Sequence, residues 1–499
     1  MKVLKNEVMN VLAGIETEYK ITGKYNLPDL CKMAREAVKS VKINNTIEWS
    51  YKYPIELYTF EHVDNRMLKN GSRLYNEMHT IEYSSAECIN PLDLVAIDKS
   101  GESLLTELSY YLKGQLKEVD IIKNNYGYHQ GIFGHSNGCH ENYCISPKLF
   151  NQIISKKQNK IQNAWVIFLI TRIIFSGAGK IGPIIPYEKI YNINVEINRL
   201  KHSMEDVYYY DILEAFINCN TYNESVILGD NYKWYFDISQ RAPFFAKLLD
   251  IDTEKNRPLI NTRNEPHADP KYFRRLHVIL GDSNRSEFST YIKIALSQLA
   301  LTMLEEGVLL TDITLLNPIM ALRQISADPE LKVKVETSRG KLSALEIQSI
   351  ILNNAIKYFY LSNNEIIKNS LNYWQDFFTK LNTNKFTLYG YLDWITKYYH
   401  FLNDRESSSN WKDMQWIDIA YHRLGEKDLY QLLVKKGVCK RLINENMVCY
   451  FTGNPPNTRA KERMEIINKS SENINQVNWN YILFKNKQEI YLNNPIKNY

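Results

Sequence analysis

The sharpest two-residue alternation in the chain is Arg73-Leu74-Tyr75-Asn76-Glu77, opened by the turn pair Asn70-Gly71. Successive side chains of a strand point to opposite faces. The segment therefore predicts a strand with Arg73, Tyr75 and Glu77 on one side and Leu74 on the other. The same period over Gly14 to Tyr19 predicts an early strand in which Glu16 and Glu18 share a face. A third run sets Arg275, His277 and Ile279 against Leu276, Val278 and Leu280. A face made of a cation, a phenol and a carboxylate is a poor core stripe, but it can line a polar site.

Helical spacing fills most of the remainder. Residues 28–42 place Leu30, Met33, Ala34 and Val38 on one face, and Asn90 to Leu116 reads as a long helix. The apolar run Ala164 to Phe175, with Arg172 inside it, reads as a buried helix. A capping-box pattern over Asn284 to Glu287 starts a helix reaching about Glu306, with Phe288, Ile292, Leu296, Leu299 and Met303 as its apolar face. Ser343 to Asn363 and Asn369 to Lys380 are amphipathic. Glu48 to Val63 is aromatic and strand-like, with Pro54 marking a loop or edge, and residues 183–236 are Tyr-rich without a clear period. The polar stretch Asn403 to Asn410 is the candidate linker, dividing a large domain, 1–405, from a small C-terminal domain, 406–499.

Composition narrows the function classes. With 44% apolar and 23% charged residues, the chain has the balance of a soluble globular protein, and 499 residues suffice for more than one domain. A formal net charge of +5 is too weak for a general nucleic-acid binder, although the surplus can line one groove for an acidic partner. Seven scattered cysteines imply no disulfide framework and point to a reducing cytoplasm. Residues 1–20 show no signal-peptide pattern, and the longest apolar run is too short to span a membrane.

Two clusters carry candidate chemistry. Glu77, Glu82 and Glu87 follow one another closely, and such density either coats a solvated surface or holds a hard divalent cation. Between Ser239 and Asn284, Arg241, Arg257, Arg263, Arg274 and Arg275 lie close to His267 and His277, which reads as a phosphate pocket or as a salt-bridge network. His135, Cys139, His140 and Cys144 fit no common zinc spacing, and His140 with Glu141 reads as lining a polar pocket or as a plain turn. Ser176-Gly177-Ala178-Gly179-Lys180 lacks the full phosphate-loop spacing and reads as a glycine helix cap.

Read in order, these segments resemble the Pup ligase family, which contains the Pup–protein ligase and the deamidase of Pup. The most specific stretches are Lys123-Asn124-Asn125 with Cys139-His140-Glu141-Asn142-Tyr143, the run Ile260 to Asp269, and Arg274 to Asn284. The resemblance implies an α+β fold: a curved antiparallel β-sheet cradle backed by helices, related to glutamine synthetase and glutamate–cysteine ligase, with a small C-terminal domain. It implies ATP and Mg2+ as cofactors. The implied partners are a Pup-like modifier, small, disordered and acidic, and lysine-bearing target proteins. Glu16, Tyr75 and Glu82 match magnesium ligands; Arg73, Ser85 and Trp479 match ATP contacts. Strand alternation adds Arg263, Arg275 and His277 to the same site.

Two positions depart from the family pattern. Glu77 stands where the family has its catalytic aspartate, and Thr80-Ile81 replaces a His-Pro pair before Glu82. The extra methylene of Glu77 moves its carboxylate by about an ångström, a displacement that can cost roughly a hundredfold in rate. Ligase is the expected activity. The alternatives are deamidation or depupylation, ligation of another amine, and modifier binding without turnover.

Overall fold

The computed structural model describes residues 11–23, 25, 27–41, 65–77, 80–115, 118–125, 136–182, 235–404 and 411–496. The stretch Glu48 to Val63, His135, residues 183–234 and the 405–410 part of the polar linker lie outside them.

A ten-stranded sheet forms the centre. Its path runs β2 (Asn65–Met67), β3 (Arg73–Glu77), β4 (Thr80–Ser84), β1 (Ala13–Gly23), β6 (Cys139–Ile145), β11 (Arg274–Val278), β10 (Pro258–Asn261) and β9 (Lys247–Asp250). β5 (Val119–Ile122) pairs with the C-terminal half of β1 and with β14 (Arg423–Leu424). Neighbours are antiparallel throughout, except that β9 runs parallel to β10. Among the described residues, three smaller sheets pair β7 (Lys180–Gly182) with β8 (Tyr235–Asp237), β12 (Lys334–Thr337) with β13 (Gly340–Ser343), and β15 (Ile474–Val477), β16 (Tyr481–Phe484) and β17 (Glu489–Tyr491) with one another.

One face of the large sheet is core. Ile15, Tyr19, Leu74, Ile81, Tyr83, Tyr143, Leu276 and Val278 are all buried there, under α1 (Leu27–Ser40), α2 (Pro91–Gln115) and the helix Glu287–Glu305. Behind that helix lie α4 (Lys160–Ser176) and the helices Ala344–Phe359 and Glu365–Thr383, while α3 (Pro147–Ile153) packs on α4 and β11. The 287–305 helix is capped by Ser286, whose side chain accepts from Ser289 N. The predicted cap at Asn284 is displaced because that side chain instead bonds Ser176 O and Asp393. Among the described residues no helix is long and apolar enough to cross a membrane.

The back layer also holds charge. The Glu141 carboxylate meets the Arg172 guanidinium at 2.7 and 2.8 Å and takes the Tyr143 hydroxyl as well. On α2, Asp98 and Glu102 receive Lys123 at 2.7 and 2.9 Å, and Glu102 also meets Lys99. Buried ions need partners, and these have them. Glu141 therefore belongs to the core and not beside His140 in a pocket: adjacent residues of a strand face opposite ways.

The chain past the polar linker first returns to the large sheet, through the β14–β5 pairing. It then builds a separate small core from Met464, Ile467, Ile474, Val477, Ile482 and Leu492, closed against Met67 of β2. This small unit is fastened by Glu87. Its carboxylate accepts from Arg459 at 2.8 Å and from Arg463 at 3.1 Å on both oxygens, and Arg463 is fully buried. Glu87, which the sequence leaves open between a solvated surface and a cation site, is thus a structural anchor.

Replacing Glu141 by Ala leaves the Arg172 charge buried without its partner and is expected to cost about 3–5 kcal/mol, read as a lower denaturation midpoint. Glu87 gives a pH signature. Burial alone would raise its pKa, but Arg463 and Arg459 outweigh that and hold it at about 2, below the ordinary carboxylate value of about 4.3. The anchor therefore contributes fully above the unfolded-state pKa, by roughly 3 kcal/mol, and is lost as pH falls through about 2. Denaturation measured from pH 7 to pH 2 should show this increment in the wild type and not in Glu87→Gln.

Candidate active site

The register of the sheet builds the site. Tyr75 lies opposite Glu82, and Glu82 opposite Glu18. One row along, Arg73 faces Ser84, Ser84 faces Glu16, and Glu16 faces His140. Further across, Asn142 faces His277 and Cys144 faces Arg275. Each of these is an even step from the others on its own strand, so all point away from the helical layer. Three predicted segments more than fifty residues apart thus contribute to one polar surface.

Two clusters stand out on it. Glu18, Glu77 and Glu82 bring carboxylate oxygens within 4.8 Å of one another. Glu82 is buried, and its carboxyl is pushed well above the usual range, first by burial and then by the charges of Glu16, Glu77 and Glu18. The Tyr75 phenol is held protonated by burial and by the charges of Glu82, Glu16 and Glu77. Glu77 ends β3 and is exposed, with Thr80 donating to its backbone carbonyl at 2.7 Å. Anions gathered in this way repel one another unless a cation neutralises them, and oxygen donors alone suit a hard divalent ion such as Mg2+. The donor set fits.

Glu16 heads the second cluster. Its oxygens lie 3.4 Å from His140 Nδ1, 3.5 Å from His277 Nε2 and 3.4 Å from Arg275. Burial would raise its pKa, but the adjacent imidazoles of His140 and His277 and the Arg275 guanidinium drive it well down. His277 is lowered to about 4, by burial and then by Arg275, so its imidazole is neutral at physiological pH. Arg275 also bridges Asn142 at 3.1 Å and Glu265 at 2.6 Å.

At the β3 end, the Arg73 guanidinium sits 5.7 Å from the Tyr75 ring centre and 5.3 Å from that of Trp479, which leads into β16 of the small unit. Ser85 is buried where β4 ends, its hydroxyl accepting from Ile15 N at 2.9 Å. The structure therefore gathers Glu16, Arg73, Tyr75, Glu77, Glu82, Arg275 and His277 on one face, with Trp479 against Arg73. Arg263 is placed differently: it is exposed in the loop after β10, its backbone N–H held by Asn261 at 2.8 Å.

Two members escaped sequence reasoning. Glu18 was legible as Glu16's neighbour on the face, but no spacing tied it to Glu77 and Glu82. His140 was read with Glu141, whereas the β1–β6 register sets it on Glu16. Gly138 explains how closely these groups approach: a Cβ there would fall 2.5 Å from Glu18 Oε1 and 2.6 Å from His140 Nε2.

Comparison with known proteins decides the family. The family model described as Pup-ligase protein matches residues 11–483. The chain belongs to the Pup ligase family. A Pup–protein ligase from Acidimicrobium ferrooxidans is 30% identical over 476 residues, 92% of this chain and 89% of that protein. One from Geodermatophilus obscurus is 31% identical over 472 residues, with the same coverage. A depupylase from Acidothermus cellulolyticus is 32% identical over 432 residues, 84% of this chain and 75% of its own length. The fold matches that of the Pup ligase PafA in complex with Pup, with a TM-score of 0.75, 24% identity, and coverage of 98% of this chain and 90% of that one. PafA in complex with ADP matches with a TM-score of 0.69. The family's helix-backed antiparallel sheet is thus the fold of this chain.

Gly138→Ala tests the cation site. The clashing atoms are the free ends of side chains, which can move, so thermal stability should stay close to wild type. Divalent affinity, titrated with Mn2+ by electron paramagnetic resonance, should fall about tenfold or more as Glu18 is displaced.

Proposed function

We propose that this chain is an ATP-dependent ligase that joins the C-terminal glutamate side chain of a Pup-like modifier to a lysine of a target protein. The γ-phosphoryl group of ATP passes to the glutamate carboxylate, giving an acyl phosphate and ADP. The lysine amine then attacks the acyl carbon; phosphate leaves as the isopeptide bond forms, and the amine gives up its proton to Glu77.

One observation carries this reading most directly. An exposed carboxylate, Glu77, stands at the mouth of a cluster whose other members lie deeper, within 4.8 Å. That is where a base must stand to meet an incoming amine, with the charge-handling groups behind it. Glu82 and Glu18, with Glu16 and Tyr75, would hold Mg2+. Bound there, Mg2+ supplies charge neutralisation for the triphosphate and the transferring phosphoryl group. Arg73, with Trp479 beside it, would receive the nucleotide, and Ser85 lies one residue past Ser84, the cross-strand partner of Arg73. Arg275 and His277 hold Glu16 in its ionised form. Arg263, exposed on its loop, is assigned to the approach of the acidic partner. The small C-terminal unit contributes Trp479 to the nucleotide site. The free cysteines among the described residues, Cys31, Cys88, Cys139, Cys144, Cys439 and Cys449, suit a reducing cytoplasm.

The 32% identity to a depupylase keeps the reverse chemistry in view, and stoichiometry separates the two. Given a Glu-ended modifier, a lysine-bearing protein and Mg2+, a ligase forms one ADP per conjugate. A deamidase converts a Gln-ended modifier, or a depupylase frees a modified lysine, without net ATP consumption. Glu77→Ala is expected to slow conjugation by about a hundredfold or more while nucleotide binding persists. Full conjugating activity in that variant would remove Glu77 from the mechanism.

A further inference from the structure

The chain places its nucleotide-facing arginine from a distance. Arg73 follows the Asn70-Gly71 turn, and that turn rests on the helix Arg459–Ser470 of the small unit. Gly71 has φ +77, and a Cβ there would lie 3.1 Å from Ala460 Cβ and 3.5 Å from an Arg463 nitrogen. Its carbonyl accepts from Arg463 at 3.1 Å. The same guanidinium donates to Trp479 O at 2.8 Å, lies 5.2 Å from the Trp479 ring centre and meets both oxygens of Glu87. Arg73 bonds Asn65 at 3.4 Å and lies beside the Tyr75 ring, and two further supports come from this side, the turn that begins its strand and the Trp479 indole. Both end on one buried Arg463, which Glu87 holds.

A second arm starts from the same carboxylate. Arg459 joins Glu87 to His267 O at 2.6 Å and to Leu492 O at 3.0 Å. Asp269 N donates to Asn493 O at 3.0 Å, so the loop that leads into β11 and Arg275 is fastened to the small unit as well. His267 takes a left-handed backbone, φ +47, within that loop.

We infer that Glu87 and Arg463 are positioning residues for nucleotide binding, acting through Gly71 and Trp479 to hold Arg73 in place. This rests on the reading of Arg73 as a nucleotide contact. A buried, bidentate carboxylate–guanidinium pair fixes orientation as well as distance. An isosteric change that weakens it should loosen Arg73 without touching the carboxylates that handle the cation and the proton. A member of the chemical machinery would lose kcat; a positioning residue for the nucleotide raises KM for ATP and leaves kcat nearly intact.

The test uses the full chain in four variants: Arg73→Ala, Glu87→Gln, Glu87→Asp and Arg463→Lys. Binding of ADP is measured by calorimetry, and ATP-dependent conjugation by steady-state kinetics. Circular dichroism and the melting temperature establish which proteins are folded at the assay temperature. Glu87→Gln and Arg463→Lys should weaken ADP binding and raise KM for ATP about tenfold, with kcat within threefold of wild type. Glu87→Asp keeps the charge and should recover most of the loss. If Arg73→Ala weakens ADP binding while folded Glu87→Gln and Arg463→Lys bind it normally, the positioning role is wrong and the site reading stands. If Arg73→Ala itself binds ADP normally, the site reading fails. A tenfold or larger fall in kcat at unchanged KM would also overturn the inference.

Discussion

Several carboxylates share one small region of this molecule, and like charges brought together out of water repel strongly. The structure sustains this because the same strands are anchored from behind. Leu74, Ile81, Tyr83, Tyr19 and Leu276 are fully or almost fully buried under the helical layer, and apolar burial of that kind is worth about 1.5–3 kcal/mol for each large side chain. A register slip of one residue would exchange the two faces. The packed side therefore determines which side chains meet on the polar side, and the electrostatic tension of the site rests on apolar contacts opposite it.

The surface divides its labour by donor type. Glu18, Glu77 and Glu82 offer oxygens only, and the raised Glu82 carboxyl marks the place where positive charge is needed. Glu16 is instead satisfied by His140, His277 and Arg275 and remains ionised. Two carboxylates on adjacent strands, Glu16 on β1 and Glu82 on β4, thus sit in opposite electrostatic states. Divergent environments around neighbouring acids push their pKa values apart.

The strands that carry the site were legible because their alternation is strict: Arg73, Tyr75 and Glu77 fall on one face as the period of two requires. The main helices were legible for the corresponding reason, and α1 buries Leu30, Met33, Ala34 and Val38 as read. What alternation cannot give is which strands become neighbours. His140 reaches Glu16 only through the β1–β6 pairing, so a reading along the chain grouped it with Glu141, which faces the core. The buried Asp98, Lys99 and Glu102 on α2 were equally hidden, since a charged residue on a helix reads as solvated until its partners are known. The anchoring role of Glu87 is hidden for the same reason: its partners, Arg459 and Arg463, lie some 370 residues away in sequence.

Asn70 shows what such distances mean for the making of the protein. Its amide reaches Tyr83, Ser100 and the carbonyl of Phe451, the last across 381 positions of sequence, and Arg463 closes on Gly71 across 392. Contacts of that separation form late, because the intervening chain has to be synthesised and brought round first. The turn in front of Arg73 therefore stays unseated while the polypeptide is still emerging from the ribosome. The Arg73 end of the polar face is finished only when the last segment docks, so an incomplete chain leaves that end unassembled.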